Sequence, residues 1–144
     1  MSRPTKRRRR QRGNTTLLGA LMILLALGLF ALVTDGSLLY ASKSRMETYA
    51  QEIARAGATA IDLNGATGSG KAFLNPGKAY DQARAYFNGL NLGDTYSMQV
   101  TNVTQDIITV QISHEQQVYL IGAFVPIHSV KIVVQASAVP KVGF

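Results

Sequence analysis

GNTTLLGALMILLALGLFALVT, residues 13–34, is a stretch of 22 residues without one charged side chain. Leu17, Leu18, Leu21, Ile23, Leu24, Leu25, Leu27, Leu29, Phe30, Leu32 and Val33 fall on every side of a helical projection, so no polar face remains. At about 1.5 Å rise per residue the stretch spans roughly 33 Å, enough for the hydrocarbon core of a bilayer. Only helices and closed barrels satisfy backbone polar groups in lipid, and one isolated segment cannot close a barrel. Residues 13–36 are therefore expected to form a transmembrane helix. A buried core helix of this length would need a far larger protein around it.

The flanks give the direction. Arg3, Lys6, Arg7, Arg8, Arg9, Arg10 and Arg12 precede the stretch with no acid among them. Those seven cations equal the net charge of +7, because the remaining eight basic residues balance eight acidic ones. Short clusters of Lys and Arg stay in the cytoplasm, which places residues 1–12 inside as a disordered basic tail and residues 37–144 outside. The tail also suits anionic lipid headgroups. It has no interleaved aromatic residues for base stacking and abuts the apolar helix, so nucleic acid is not an expected partner. The apolar run exceeds the usual span of a cleaved signal, and the small-x-small rule fails near Ala41, where Leu39 occupies the −3 position. The helix reads as an uncleaved anchor.

Beyond Asp35 and Gly36 the helical pattern resumes, with a local kink allowed at the glycine. Met46, Ala50, Ile53, Gly57 and Ala60 recur at helical spacing, opposite a polar stripe that includes Ser44, Thr48, Gln51, Arg55 and Thr59. Lys43 and Glu47 add an i,i+4 pair. The apolar face is rich in small residues, which permit close approach by another element. That element is either the chain's own sheet, the preferred reading, or a neighbouring copy; Ala50, Ile53 and Gly57 are the candidate contact residues. Residues 64–70 form a glycine-rich loop. With Lys71 they imitate a phosphate-binding loop, but position 72 is Ala where a magnesium-ligating hydroxyl belongs, and the motif follows a helix instead of a strand. No nucleotide is expected.

Asn75-Pro76 supplies an N-cap and a first-turn proline, so a second amphipathic helix is expected from Pro76 to about Gly89, with Ala79, Tyr80, Ala83, Tyr86, Phe87 and Leu90 on its core face. Period-two alternation then marks three strands: around Tyr96, Met98 and Val100; around Ile108, Val110 and Ile112 after a turn at Gln105-Asp106; and from Val130 to Ala138. Between the last two lies an apolar run of ten residues, 118–127, too short to span a membrane. A buried loop is the preferred reading; the alternatives are a strand broken by Gly122 and Pro126, or an interaction loop presenting Leu120 and Phe124 to lipid or a partner.

The fold class is thus α+β: an N-terminal transmembrane helix continuing into a long amphipathic helix, packed on a small antiparallel sheet of three or more strands. Catalytic chemistry is not legible. There is no cysteine, and His114 and His128 lack a second ligand at metal spacing. Asp35 is read as an interfacial residue. Neither enzyme activity nor a cofactor is expected.

Taken in order, these segments resemble the TadE/TadG-like proteins of Tad (Flp) pilus assembly. The features are the basic tail ending in Arg12-Gly13, the apolar run, and Val33-Thr34-Asp35-Gly36-Ser37-Leu38-Leu39-Tyr40, similar to a Val-x-Asp-x-Gly-x-x-Tyr type segment with its glycine displaced. The basic, then alanine-rich, helix over residues 43–60 and the closing Val134-Gln135-Ala136-Ser137-Ala138 complete the likeness. The resemblance implies a pilin-like, single-pass protein of the bacterial inner membrane serving as a structural or assembly component. Its implied partners are membrane lipids and other pilus-assembly or pilin subunits, including further copies of itself. The alternative it carries is a processed pseudopilin or minor pilin cut between Gly13 and Asn14. Processed pseudopilins bear a glutamate shortly after the cut, whereas the fifth residue after Gly13 here is Leu18. A signal-anchored module for a small ligand is a third reading, which the lack of convergent polar residues disfavours.

Overall fold

A computed structural model describes residues 7–62 and 72–140. The first six residues of the basic tail and the phosphate-loop mimic at residues 65–71 lie outside the described residues.

Helix α1 runs from Arg7 to Ala58, 52 residues. It joins the two segments expected from sequence and continues through Gly36. The expectation of a disordered tail is corrected over residues 7–12, which are helical. Arginine ranks among the good helix formers, and the apolar segment that follows supplies the nucleus from which helix propagates backwards. The remaining elements are β1 (Ile61–Asp62), β2 (Phe73–Leu74), α2 (Pro76–Gly89), β3 (Tyr96–Val103), β4 (Ile108–Gln117) and β5 (Ser129–Ala138), with a short 3₁₀ turn at Ile121–Ala123. This is the α+β order expected from sequence. The chain divides into two compact units. One comprises residues up to Leu38 together with Val118–His128, and the other Leu39–Gln117 with Ser129 onward.

The second unit contains the hydrophobic core. Met46, Ala50, Ile53, Ala54 and Ala58 of α1 meet Ala79 and Ala83 of α2, Leu74 of β2, Ile108, Val110 and Ile112 of β4, and Val134 of β5. Each fully buried isoleucine contributes about 1.5–3 kcal/mol relative to exposure. The small-residue face of α1 therefore packs against its own chain. At Gly57 the approach is closest: a Cβ there would lie 2.5 Å from Ile108 Cδ1, 3.0 Å from the Ala79 carbonyl oxygen and 3.3 Å from Ala83 Cβ. No other residue fits that space without displacement.

Helix α2 starts where its sequence signals say. Asn75 is extended (φ −85°, ψ 109°), its Oδ1 accepts from the Lys78 N–H at 3.2 Å, and Pro76 follows in the first turn. Ala79 and Ala83 are buried as expected, and Phe87 and Leu90 pack on the core, but Tyr80 and Tyr86 are exposed. Tyr86 instead reaches sideways, donating its hydroxyl to Glu52 of α1 at 3.3 Å. The Glu52 charge, then burial, then that hydrogen bond raise its pKa.

The sheet has the order β3-β4-β5, all antiparallel. Alternation is regular in β4, whose Ile108, Val110 and Ile112 point inward. In β3 a register shift between Val100 and Asn102 opposes Thr109 to Asn102. The extra residue, Thr101, lets Val103 return to the core side. The outer face is polar, with Ser97 and Ser113 hydroxyls 2.6 Å apart, Gln135 donating to Gln111 at 2.9 Å, and Thr109 and Ser137 hydroxyls 2.9 Å apart. Such cross-strand pairs suit a sheet with one solvated face. Val130, placed on the core face by alternation, is exposed. The turn between β3 and β4 is closed by Thr104, whose Oγ1 accepts from the N–H groups of Asp106 and Ile107. The two-residue ladder β1–β2 pairs Ile61 with Leu74 and Asp62 with Phe73; no alternation announces pieces this short.

Candidate functional site

The first unit is organised by the C-terminal end of the apolar run. The anchor residues Leu17, Leu18, Leu21, Ile23, Leu24, Leu25, Leu27, Leu29, Phe30, Leu32 and Val33 are all exposed, from 53% to 71%. Residues Asn14–Ala58 include a stretch long and apolar enough to cross a membrane. At its end the polar side chains turn back onto the helix. Thr34 Oγ1 donates to the Phe30 carbonyl at 2.9 Å, and Ser37 Oγ to that of Thr34 at 2.8 Å. Each hydroxyl thus finds a partner without water.

Asp35 follows a different course. It is 2% exposed, and its Oδ2 accepts from the backbone N–H of Ile121, 86 residues away in sequence, at 2.7 Å. Ala31, one turn earlier on the same face, is 3% exposed. Asp35 is therefore a structural acceptor for the 118–128 segment and not only an interfacial residue. Sequence reasoning missed this role; the signal available was a lone acid directly after an apolar run.

The segment it holds is a folded surface loop, which corrects the expectation of a buried loop and excludes a broken strand. Val118 is buried, while Tyr119, Leu120, Phe124, Val125 and Ile127 are exposed. The loop closes on itself: the Val118 N–H donates to the His128 carbonyl at 3.0 Å, those of Phe124 and Val125 both to Ile121 at 2.9 Å, that of Ala123 to Leu120 at 3.2 Å and that of Ile127 to Val125 at 2.7 Å. A Cβ on Gly122 would stand 3.0 Å from the Ile127 carbonyl oxygen, so the two sides of the loop approach closely there.

The candidate contact residues thus separate. Ala50, Ile53 and Gly57 lie inside the core of the second unit, whereas Leu120 and Phe124 are at the surface. Asn14 is exposed and stands with Gly13 inside α1. The topology arginines Arg7, Arg8, Arg9, Arg10 and Arg12 are in the first turns of the same helix. Lys43 and Glu47 form the expected i,i+4 pair at 3.6 Å. His114 stacks on Tyr96, ring centroids 3.9 Å apart, and burial raises the pKa of that tyrosine. Among the described residues no group of three or more His, Cys, Asp or Glu side chains could hold a metal. A groove of about 650 Å³ lies between the end of α1 and β5, lined by Gln51, Arg55, Thr59 and residues 135–139. It has one cation, no acid and no nucleophile poised against a base.

These features define a class: an α+β protein with, among its described residues, one long apolar helix and surfaces suited to contact. The comparison with protein families is specific to the same region. Residues 13–60 match the Tad model described as "Putative Flp pilus-assembly TadE/G-like". The matched third of the chain contains the apolar run, Asp35 and the small-residue face, and it carries the TadE/TadG-like resemblance seen in the sequence. Neither the curated proteins nor the solved structures yield a match.

Proposed function

We propose that this chain is a membrane-anchored structural or assembly component of a Tad (Flp)-type pilus or related secretion apparatus, acting through protein contacts and without catalysis. The observation that carries the reading is the family match over residues 13–60, which falls on an apolar helix with outward-facing side chains. In this reading residues 13–36 cross the bacterial inner membrane, residues 1–12 stay in the cytoplasm and residues 37–144 form the extracytoplasmic part. Seven cations before the helix favour that orientation. Partners are other pilus-assembly or pilin subunits, further copies of this chain among them. Ala50, Ile53 and Gly57 serve the chain's own core, so contact falls to exposed residues such as Leu120 and Phe124.

The test combines deletion of the gene with the intact mass of the protein purified from its native membrane. Loss of surface pili, restored by the full-length chain, together with an uncut mass, is the expected result. Undiminished piliation overturns the assignment. A mass lacking the first 13 residues replaces the static anchor with a processed filament subunit, despite Leu18.

A further inference from the structure

The 118–128 loop has a chemistry that pilus assembly as such does not explain. Its sequence, VYLIGAFVPIH, has no Asp, Glu, Lys or Arg. Leu120, Phe124, Val125 and Ile127 are 38–50% exposed, and large apolar side chains gathered at the surface of one short loop mark a contact. Two observations say which contact. The first is depth: Ile121 is held by Asp35, two residues beyond Val33, an axial step of about 3 Å. Its attachment point is therefore within one helical turn of the last apolar residue of the run. The second is the backbone. Six of the ten N–H groups in the loop, those of Val118, Ile121, Ala123, Phe124, Val125 and Ile127, have acceptors within the protein, and Pro126 has no N–H to satisfy. Internal pairing of this kind lowers the cost of bringing a non-helical segment to the edge of a bilayer, where the N–H groups left over still meet water and headgroups. Tyr119, 67% exposed, adds the amphipathic aromatic ring favoured at the membrane–water interface.

We propose that the 118–128 loop is a second membrane contact, resting the side chains of Leu120, Phe124, Val125 and Ile127 in the outer interfacial layer beside the end of the anchor helix. The inference rests on the anchor reading given above. It makes this part of the chain a two-point attachment: the helix fixes the protein in the bilayer, and the loop, pinned through Asp35, fixes the rotation of the helix end against the surface. A lipid occupant is favoured over a second copy because the loop belongs to the same compact unit as the exposed apolar run and is tied to its end through Asp35. No charged side chain interrupts the segment to specify a protein partner.

The chain has no tryptophan, so single-tryptophan variants report cleanly. Full-length Phe124→Trp, Val125→Trp and Leu25→Trp proteins are reconstituted in phosphatidylcholine–phosphatidylglycerol vesicles, with bromine absent, high in the acyl chain, or near its end. The expected result is a blue-shifted emission at positions 124 and 125 that is quenched most by shallow bromine. Position 25 is quenched most by deep bromine. If Leu25→Trp is quenched while both loop positions emit as in water, the loop inference fails and the anchor stands. Blue-shifted but unquenched loop positions mean that protein covers them, which also overturns the inference. An unquenched position 25 removes the anchor reading and the inference with it. Two loop positions guard against a local disturbance by either substitution.

Discussion

Asp35 is the residue on which the first unit turns. Replacing it by Ala removes the acceptor that holds the Ile121 N–H, and leaving a part-buried donor without an acceptor costs about 1–3 kcal/mol, toward the lower end where water can reach it. Hydrogen exchange should show the Ile121 amide losing protection by roughly one to two orders of magnitude in Asp35→Ala, with Asp35→Asn retaining much of it through its carbonyl oxygen. Equal exchange in both variants and the parent would remove the pinning role. At Gly57 the argument is steric. Gly57→Leu drives a side chain into Ile108 and the Ala79 carbonyl, an overpacking cost on the order of 1–3 kcal/mol or more. The expected outcome is a lowered Tm and reduced abundance in the membrane; wild-type values for both would mean the core repacks freely there. Tyr86 gives a pH test. Its folded pKa is raised, first by Glu52, so its contribution is complete below the ordinary tyrosine range and is lost as pH rises through its own higher value. Glu52→Gln should bring the Tyr86 titration, followed by ring-carbon NMR, back toward about 10.

At the scale of elements the sequence was informative wherever a period could express itself. Helix α2 begins at Pro76 because Asn75 and Pro76 say so, and β4 alternates because its inner face is wholly buried. The small residues of α1 predicted a close neighbour without naming it, since a pattern records what a face tolerates and not what occupies it. The 118–127 run was misjudged for a related reason. Apolar composition is common to core and to surfaces that face something other than water, and only the distant Asp35 separates them. The two-residue strands, and the inward return of Val103 through a bulge, lie below the resolution of periodicity. The loop itself makes an element-scale prediction. Gly122→Leu places a side chain against the Ile127 carbonyl, at a cost of about 1–3 kcal/mol. Protection of the Phe124 and Val125 amides should fall while the β4 and β5 ladders keep theirs. A uniform loss across the sheet would instead make the loop and hairpin one cooperative unit.

For the whole molecule the governing asymmetry is charge. All of the net positive charge sits ahead of the apolar run, and the remainder of the chain is neutral. A bilayer crossed by such a chain holds the cationic end in the cytoplasm. Because the chain contains no cysteine, single cysteines report each side independently. Asp94→Cys, at an exposed position, should react with a membrane-impermeant maleimide in intact spheroplasts, whereas Ser2→Cys should react only after lysis. Replacing Arg7, Arg8, Arg9, Arg10 and Arg12 together by Gln leaves Arg3 and Lys6 before the helix against Lys43 and Arg45 after it. That near-balance should divide the population between two orientations, with each reporter labelled partially from outside. If the substituted chain keeps a single orientation, the arginine cluster does not set topology. The cluster then serves lipid headgroups or a cytoplasmic partner, and orientation comes from folding of the residues after Asp35 on the far side.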